Sequence, residues 1–422
     1  MAEEKEIKKT KKKITAKKKK INKEVVENKS KKKKNYTSKE TIIVMILSII
    51  IGLLFGSAVT RYLCEDKNPK GLAEFNEIYT DISENKYGRV SSSDMLYSSV
   101  NGLLSSLNDR YAYIVESKNS QIQYEQDTKG EFNGLGVNIY LNEEGKIFVN
   151  SIINNSPAEK AGLESGDIIT KLNGEDYNAA NYDDFSNVLQ TSKKGDKVTV
   201  EILRNDNTFE KEIKLDKVVL ESVFYEMIEK DGLRIGVFTI NNFANNTCDQ
   251  FLDKYEEGLK DGIKGMIIDV RSNKEGLMKN AADIASLFLD KGEVLYQTYN
   301  NRVYEKVESK TKREIKLPVT IVVNEETKAS GEMIASTLNE NLGAPIVGNK
   351  TYGKGLLQKV LHLYNGYTIS YTTEEWVTSK KKMVEQVGIE PTIKAENVEG
   401  YTSDDYIEKA TDSIKKILNN NM

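Results

Sequence analysis

The hydrophobic positions of this chain fall into four regimes along its length. The first is an unbroken apolar run, TIIVMILSIIIGLLFGSAVTRYL, Thr41 to Leu63, which meets no charge before Arg61. About 20 such residues, rising ~1.5 Å each as a helix, match a hydrocarbon core ~30 Å thick. A transmembrane helix is therefore expected over 41–63; the run is too long for a cleaved signal peptide and no small-x-small site follows it cleanly. Residues 64–126 then show helical spacing: Leu72, Phe75, Ile78, Tyr79 and Ile82 share one face, and Met95, Leu96, Val100, Leu103, Leu104 and Leu107 share another, with Ser93 or Asp94 as its cap. From 127 to 218 the pattern shortens to β-branched strands such as KIFVNSII and KVTVEILRN, broken by Gly, Asn and Asp. SPAEKAGL, with Ser156 as cap and Pro157 at the first position, and YDDFSNVLQTS are the two helices expected inside that β-rich module.

The fourth regime, 219–400, alternates buried strands (LRIGVFTI, GMIIDV, PVTIVVN, APIVG) with amphipathic helices (TCDQFLDKYEEGLK, LMKNAADIASLFL, GEMIASTLNENL). Repeated βα units predict an α/β core on a mostly parallel sheet with helices on its faces. A last helix is expected over 401–422. Sites in such sheets lie where strands end and helices begin, which directs attention to DVRSNKEG and NEETKASGE.

Charge changes this picture at one end. The chain has 422 residues and a net charge of −3, but its first 40 carry 17 Lys against six Glu, a net of +11. That arm lacks an apolar stripe and is expected to be disordered; beside a membrane span it reads as a topology signal that holds the N-terminus in the cytoplasm and attracts anionic lipid, rather than as a nucleic-acid tail. The β-rich module and the α/β core are then extracytoplasmic. Only two Cys and one His occur, so no cluster has metal-ligand spacing and no metal or cofactor is expected. The helical segment 64–126 leaves room for a homodimer.

Two loops carry candidate chemistry. GNKTYGKG, Gly348 to Gly355, approaches the phosphate-loop spacing, but the Ser/Thr position is Gly355 and the residues that follow have β character with an Asn365-Gly366 hairpin signal. No helix opens there to meet a phosphate. Lys354 is instead a candidate general base, since burial can lower an ammonium pKa toward neutrality. Ser330, between a buried strand and a helix, is a candidate nucleophile with N–H donors nearby, and equally a good N-cap. A Ser-His-Asp triad would rest on His362 alone.

These stretches resemble a known family. FNGLGVNI and VNSIINNSPAEKAGLESGDIITKLNG look like a PDZ domain, over 127–218. GMIIDVRSN, IVVNEETKASGEMIASTL, PIVGNKTYGKGLLQ and VGIEPTI resemble the core of the carboxyl-terminal processing proteases, tail-specific Ser-Lys peptidases of family S41, and GLLSSLNDRYAYI resembles the segment before their PDZ module. The resemblance implies a serine nucleophile, a lysine base and a glutamine that orients the lysine. Lys354 falls on the lysine and Gln358 on the glutamine. Gly276 and Gly331 are the expected oxyanion-hole glycines. Gly134, Leu135, Gly136 and Val137 fall on the PDZ loop that grips a substrate carboxylate.

Two positions depart from the family. Its nucleophile falls on Ala329, one residue before Ser330, and its Pro-Gly-Gly turn is here Lys274-Glu275-Gly276. Two functions are therefore expected. One is a membrane-anchored serine endopeptidase that cleaves extracytoplasmic proteins near their C-termini, with Ser330 as nucleophile and Lys354 as base. The other is an S41-fold protein whose catalysis is lost and which captures protein tails or regulates an active relative.

Overall fold

The computed structural model describes residues 42–43, 45–48, 50–52, 71–116, 118–271, 273, 276–300, 303–363, 366–395 and 403–420. The Lys-rich arm predicted over 1–40 lies outside these residues, as does much of the apolar run 41–63; the described part of that run is helical with exposed side chains. Among the described residues no helix is long and apolar enough to cross a membrane. The chain divides into two compact units, 1–90 and 91–422. In the first, α1 (Leu72–Asn85) carries the predicted stripe, with Leu72, Phe75, Ile78 and Ile82 exposed.

The second unit opens with α2 (Ser92–Ser105), whose cap is Ser91 rather than Ser93 or Asp94: its hydroxyl accepts the Asp94 N–H. Within the stretch predicted as wholly helical, Tyr113–Glu116 is a strand, β1. Aromatic and β-branched residues favour that, and Ile114 packs with Tyr367 and Ile369. Helix α3 (Lys118–Lys129) follows.

The β-rich module is inserted on a two-stranded stalk. Strand β2 (Glu131–Gly134) enters it, and the five strands β3 (Val137–Leu141), β4 (Ile147–Ile152), β5 (Ile168–Leu172), β6 (Glu175–Asp176) and β7 (Lys197–Arg204) build it with β8 (Asn207–Lys214). The order of the main path is β3-β4-β5-β7-β8, so β3 is an edge. The exit strand β9 (Asp216–Val219) pairs antiparallel with β2. Two helices, α4 (Pro157–Lys160) and α5 (Tyr182–Thr191), complete the module. Ser156 caps α4 through the Glu159 N–H, as the Ser-Pro signal predicts. Its core gathers the alternate residues of each strand, Val198, Val200 and Ile202 among them, with Phe185 from α5.

The α/β core contributes β10 (Val223–Lys230), β11 (Leu233–Ile240), α6 (Thr247–Asp261), β12 (Gly265–Asp269), α7 (Met278–Ser286), β13 (Val294–Tyr299), β14 (Tyr304–Glu308), β15 (Val319–Val323), α8 (Ser330–Leu342), β16 (Ile346–Gly348), β17 (Leu356–His362), β18 (Tyr367–Thr378), β19 (Ile393–Lys394) and α9 (Ser403–Asn420). One six-stranded sheet, β10-β11-β12-β15-β16-β19, is parallel except at the β10–β11 hairpin. Both faces of its central strands are covered. Residues of α6, α7 and α8 (Phe251, Ala281, Met333) pack on one side, and Ala410 and Ile414 of α9 pack on the other. That is why β12 and β15 are continuous apolar runs with every residue buried.

The expectation of one mostly parallel sheet needs correction. A second sheet, β1-β18-β13-β14 with β17 on β18, is antiparallel throughout. The long strand β18 organises it, and β17 folds back on β18 through a hairpin closed by the bond from Leu363 N–H to the Tyr367 carbonyl. Asn365 of the predicted Asn-Gly turn lies outside the described residues; Gly366 is at φ 92°.

Candidate active site and tail-binding groove

The site forms where β15 gives way to α8. Thr327 holds the connecting loop down: its hydroxyl donates to the Val270 carbonyl beyond β12 (2.9 Å), and its N–H donates to Asn324 Oδ1 (3.1 Å). The Lys328 N–H donates to the Asn273 carbonyl (2.9 Å). This clamped loop forces Ala329 to φ 42°, ψ −100°, outside the regions open to residues with a Cβ and costing about 1–3 kcal/mol. A strained residue between a buried strand and a helix is the geometry of a nucleophile elbow, which lifts one side chain clear of the backbone. Here that side chain is a methyl group.

Ser330 comes next and is turned inward. It is 1% exposed, and its hydroxyl donates to the Gly276 carbonyl at 3.0 Å. Gly276 itself sits at φ 122° and bridges to Phe243. The Gly331 N–H donates to the Lys328 carbonyl (2.9 Å), so it closes the first helical turn. The structure thus brings Ser330, Gly276 and Gly331 together, with the Ser330 hydroxyl on a carbonyl oxygen. Lys274 and Glu275 lie outside the described residues.

Lys354 approaches the elbow from the turn between β16 and β17. The link between the two is Glu332, fully buried in the first turn of α8. One carboxylate oxygen accepts the Ala329 and Lys354 N–H groups, both at 2.9 Å; the other accepts the Gly353 N–H at 2.7 Å and the Thr351 hydroxyl. Burial pushes the Glu332 pKa above the ordinary carboxylate value, while the four donors pull against that rise. The glycines flanking Lys354 are explained by close approach. A Cβ on Gly355 would sit 2.3 Å from the Glu385 nitrogen, and one on Gly353 2.8 Å from the Gly388 nitrogen. The turn leads into a strand rather than a helix, so it has none of the anion-binding geometry of a phosphate loop.

Gln358 was expected to orient the lysine. Its amide NH₂ donates to the Leu356 carbonyl (2.9 Å) and to Thr372 Oγ1 (3.3 Å); the amide oxygen is the atom that could receive an ammonium. Lys354 lies in the turn before β17 and not within it, so same-face strand spacing does not relate it to Gln358; the β17–β18 ladder also shifts register beside Gln358, with the extra residue, Thr373, on β18. Tyr111 lies beside the ammonium, its ring centroid 5.2 Å from Lys354 Nζ. Glu332, Glu385 and Tyr111 were not singled out in the sequence. Only Glu332 carried a signal there, as a Glu at the third position of a helix, where a carboxylate can reach back to the cap N–H.

In the β-rich module, Gly134, Leu135, Gly136 and Val137 lead into β3 at the open edge of its sheet. Partly buried Val137 and Ile139 of that edge and Val188 and Leu189 of α5 border one core. An edge strand beside a helix can receive an extended peptide as an added strand. Leu135 is 2% exposed and belongs to the module's core, so it supports the groove from beneath.

The fold and this site define a PDZ-bearing S41 peptidase architecture. The pattern of "Peptidase family S41" matches residues 234–395, and that of "PDZ domain" matches 133–215. The carboxy-terminal processing protease CtpA of Bacillus subtilis (strain 168) is 30% identical over 325 residues, which span 76% of this chain and 68% of that protein. The chain belongs to peptidase family S41, alongside the carboxy-terminal processing serine proteases. A relative from Staphylococcus saprophyticus, named "Probable CtpA-like serine protease", is 29% identical over 77% of this chain and 65% of its own length. Among solved structures, the photosystem II D1 C-terminal processing protease is 22% identical with a TM-score of 0.44, covering 77% of this chain and 87% of that one.

Proposed function

We propose that this protein is a membrane-anchored, extracytoplasmic S41-family protein that binds the C-terminal tails of other proteins through its PDZ groove and does not hydrolyse them. One observation carries the reading. The strained elbow position is Ala329, and the neighbouring hydroxyl, Ser330, is buried and spent on the Gly276 carbonyl. A nucleophile must offer its oxygen to the substrate carbonyl and its proton to a base; a hydroxyl donating to a main-chain carbonyl does neither. Tail binding is supported by the open β3 edge beside α5 and by the PDZ match. Membrane attachment is supported by the apolar run 41–63 and the Lys-rich arm before it.

The full chain in detergent, treated with a fluorophosphonate probe, is expected to remain unlabelled and to leave a peptide with an apolar C-terminus intact while binding it. The groove is tested with Val188→Asp rather than Leu135→Asp, because a charge at the buried Leu135 would unfold the module. Calorimetry should show tail affinity reduced at least ~10-fold, the order expected when an apolar contact is replaced by a charge. Unchanged affinity removes the groove from the proposal.

A second reading, hydrolysis by Ser330 with Lys354 as base, is favoured by the retained lysine on its glycine turn and by the serine proteases among the relatives. Labelling of wild type at Ser330, abolished in Ser330→Ala, would establish it and overturn the first.

A further inference from the structure

The segment that precedes the PDZ module crosses the lysine turn. Asp109 fastens it: its carboxylate accepts the Thr372 N–H (2.7 Å), the Thr372 hydroxyl (3.0 Å) and the Tyr111 N–H (2.9 Å). Arg110 pairs with Glu385 (2.7 Å), and the same Glu385 accepts the Gly355 N–H (2.8 Å). One carboxylate therefore ties this segment to the residue after Lys354. Arg110 also donates to the Tyr111 hydroxyl, which fixes the plane of the ring. Beyond it, β1 locks the segment into register on β18, from Tyr113 opposite Ser370 to Glu116 opposite Tyr367. The outcome is an aromatic face set 5.2 Å from Lys354 Nζ, within the ~6 Å range of a cation–π contact.

We infer that Tyr111 is a positioning residue for Lys354: its ring holds the ammonium in place, a role beside the one the family resemblance implies for Gln358. The inference rests on the reading of residues 348–355 as the S41 lysine turn and is independent of whether peptide is cleaved. Four anchors, Asp109, Arg110, Glu385 and the β1 ladder, lock the ring before any ligand arrives. The Gln358 NH₂ is bonded to Leu356 and Thr372. A ring face attracts the charged form and not the neutral amine, so Tyr111 also sets how readily Lys354 gives up its proton. Other charged or titratable groups around this point are Arg110, paired with Glu385 and lying over the same Tyr111 ring at 4.6 Å, Tyr352, which interacts with Arg110 and Tyr111 and carries Lys328 on its own ring, and the buried Glu332 on the Lys354 N–H.

Competitive labelling with trace acetic anhydride across pH, read by mass spectrometry of the Lys354 peptide from the full chain, measures the pKa of this one amine. Tyr111→Phe keeps the ring and is expected to leave it within about 0.2 unit of wild type. Tyr111→Leu removes the ring and is expected to lower it by about 0.5–1 unit, the equivalent of an exposed to partly desolvated cation–π contact. A Tyr111→Leu chain that titrates as wild type overturns the inference, and so does a Tyr111→Phe chain that shifts as far as Tyr111→Leu, because the hydroxyl would then be the active group. Should Tyr111→Leu fail to fold, Asp109→Asn serves instead: it weakens the anchor and leaves the ring, and must shift Lys354 in the same direction. The readout needs neither hydrolysis nor tail binding, so loss of the proposed function would leave it intact.

Discussion

Replacing Ala329 with serine is expected to convert the protein into one that reacts with fluorophosphonate and cleaves apolar-tailed peptides. The backbone at 329 already holds a Cβ at φ 42°, ψ −100°, so a serine adds one oxygen and no new backbone strain. The N–H groups of Ala329 and Lys354 converge on one oxygen of Glu332, which brings the new hydroxyl and the lysine turn to the same buried carboxylate. Removing a catalytic serine from a serine protease costs on the order of 10⁶ in kcat. Installing one on a sound scaffold should recover at least ~10³ over the wild-type background. Ala329→Ser combined with Lys354→Ala should stay silent, since the hydroxyl then lacks a base. If Ala329→Ser neither labels nor cleaves although it retains the wild-type melting temperature, position 329 is not the elbow of a working site. The tail-binding proposal would then stand, but the account of why hydrolysis is absent would fail.

The second large effect is on stability. Glu332→Gln should cost about 2–5 kcal/mol, at ~1–3 kcal/mol for each buried donor left without an acceptor, and lower the melting temperature by roughly 10 °C. The carboxylate accepts three N–H groups and one hydroxyl. An amide has only one acceptor oxygen, and in either orientation its NH₂ would face at least one N–H donor that has no lone pair to offer. The pH dependence carries a sign. Glu332 has its pKa raised in the folded protein, so the folded state binds the proton more tightly than the unfolded state. Its contribution is therefore full below the unfolded carboxylate value and declines as pH rises through the folded one. Glu332→Gln should remove that decline from a plot of stability against pH. A variant that melts within 2–3 °C of wild type would show that the donors find water or other partners, and that Glu332 does not hold the elbow to the lysine turn.

These two positions mark the border between what could be read and what could not. The βα alternation after residue 219, the β-rich module before it and the Ser156 cap of α4 follow from apolar period and turn chemistry, which act over a few residues; the cap of α2 falls on Ser91 and that of α8 on Ala329. Lys354 between its glycines was legible for the same reason: glycine spacing announces close backbone approach, here to Glu385 and Gly388. Tyr113–Glu116 was misread as helix because its partner, β18, lies some 250 residues away, and strand pairing at that distance leaves no local periodic mark. Gln358 looks suitable by its spacing from Lys354, but same-face spacing presumes that both residues lie in one strand, and Lys354 precedes β17 in the glycine turn. Tyr111 gave no signal, since its role comes from anchors at Thr372 and Glu385.

By itself the sequence determined the family, the order of the PDZ and S41 regions and the glycine-flanked lysine turn, because each depends on residue type or short-range pattern. Tertiary structure alone decided that Ala329 is strained, that Ser330 faces the Gly276 carbonyl and that Tyr111 attends the ammonium. A dihedral held against its own preference and a side chain aimed across a cleft are set by contacts between segments far apart in the chain, and local sequence carries no record of which segments will meet.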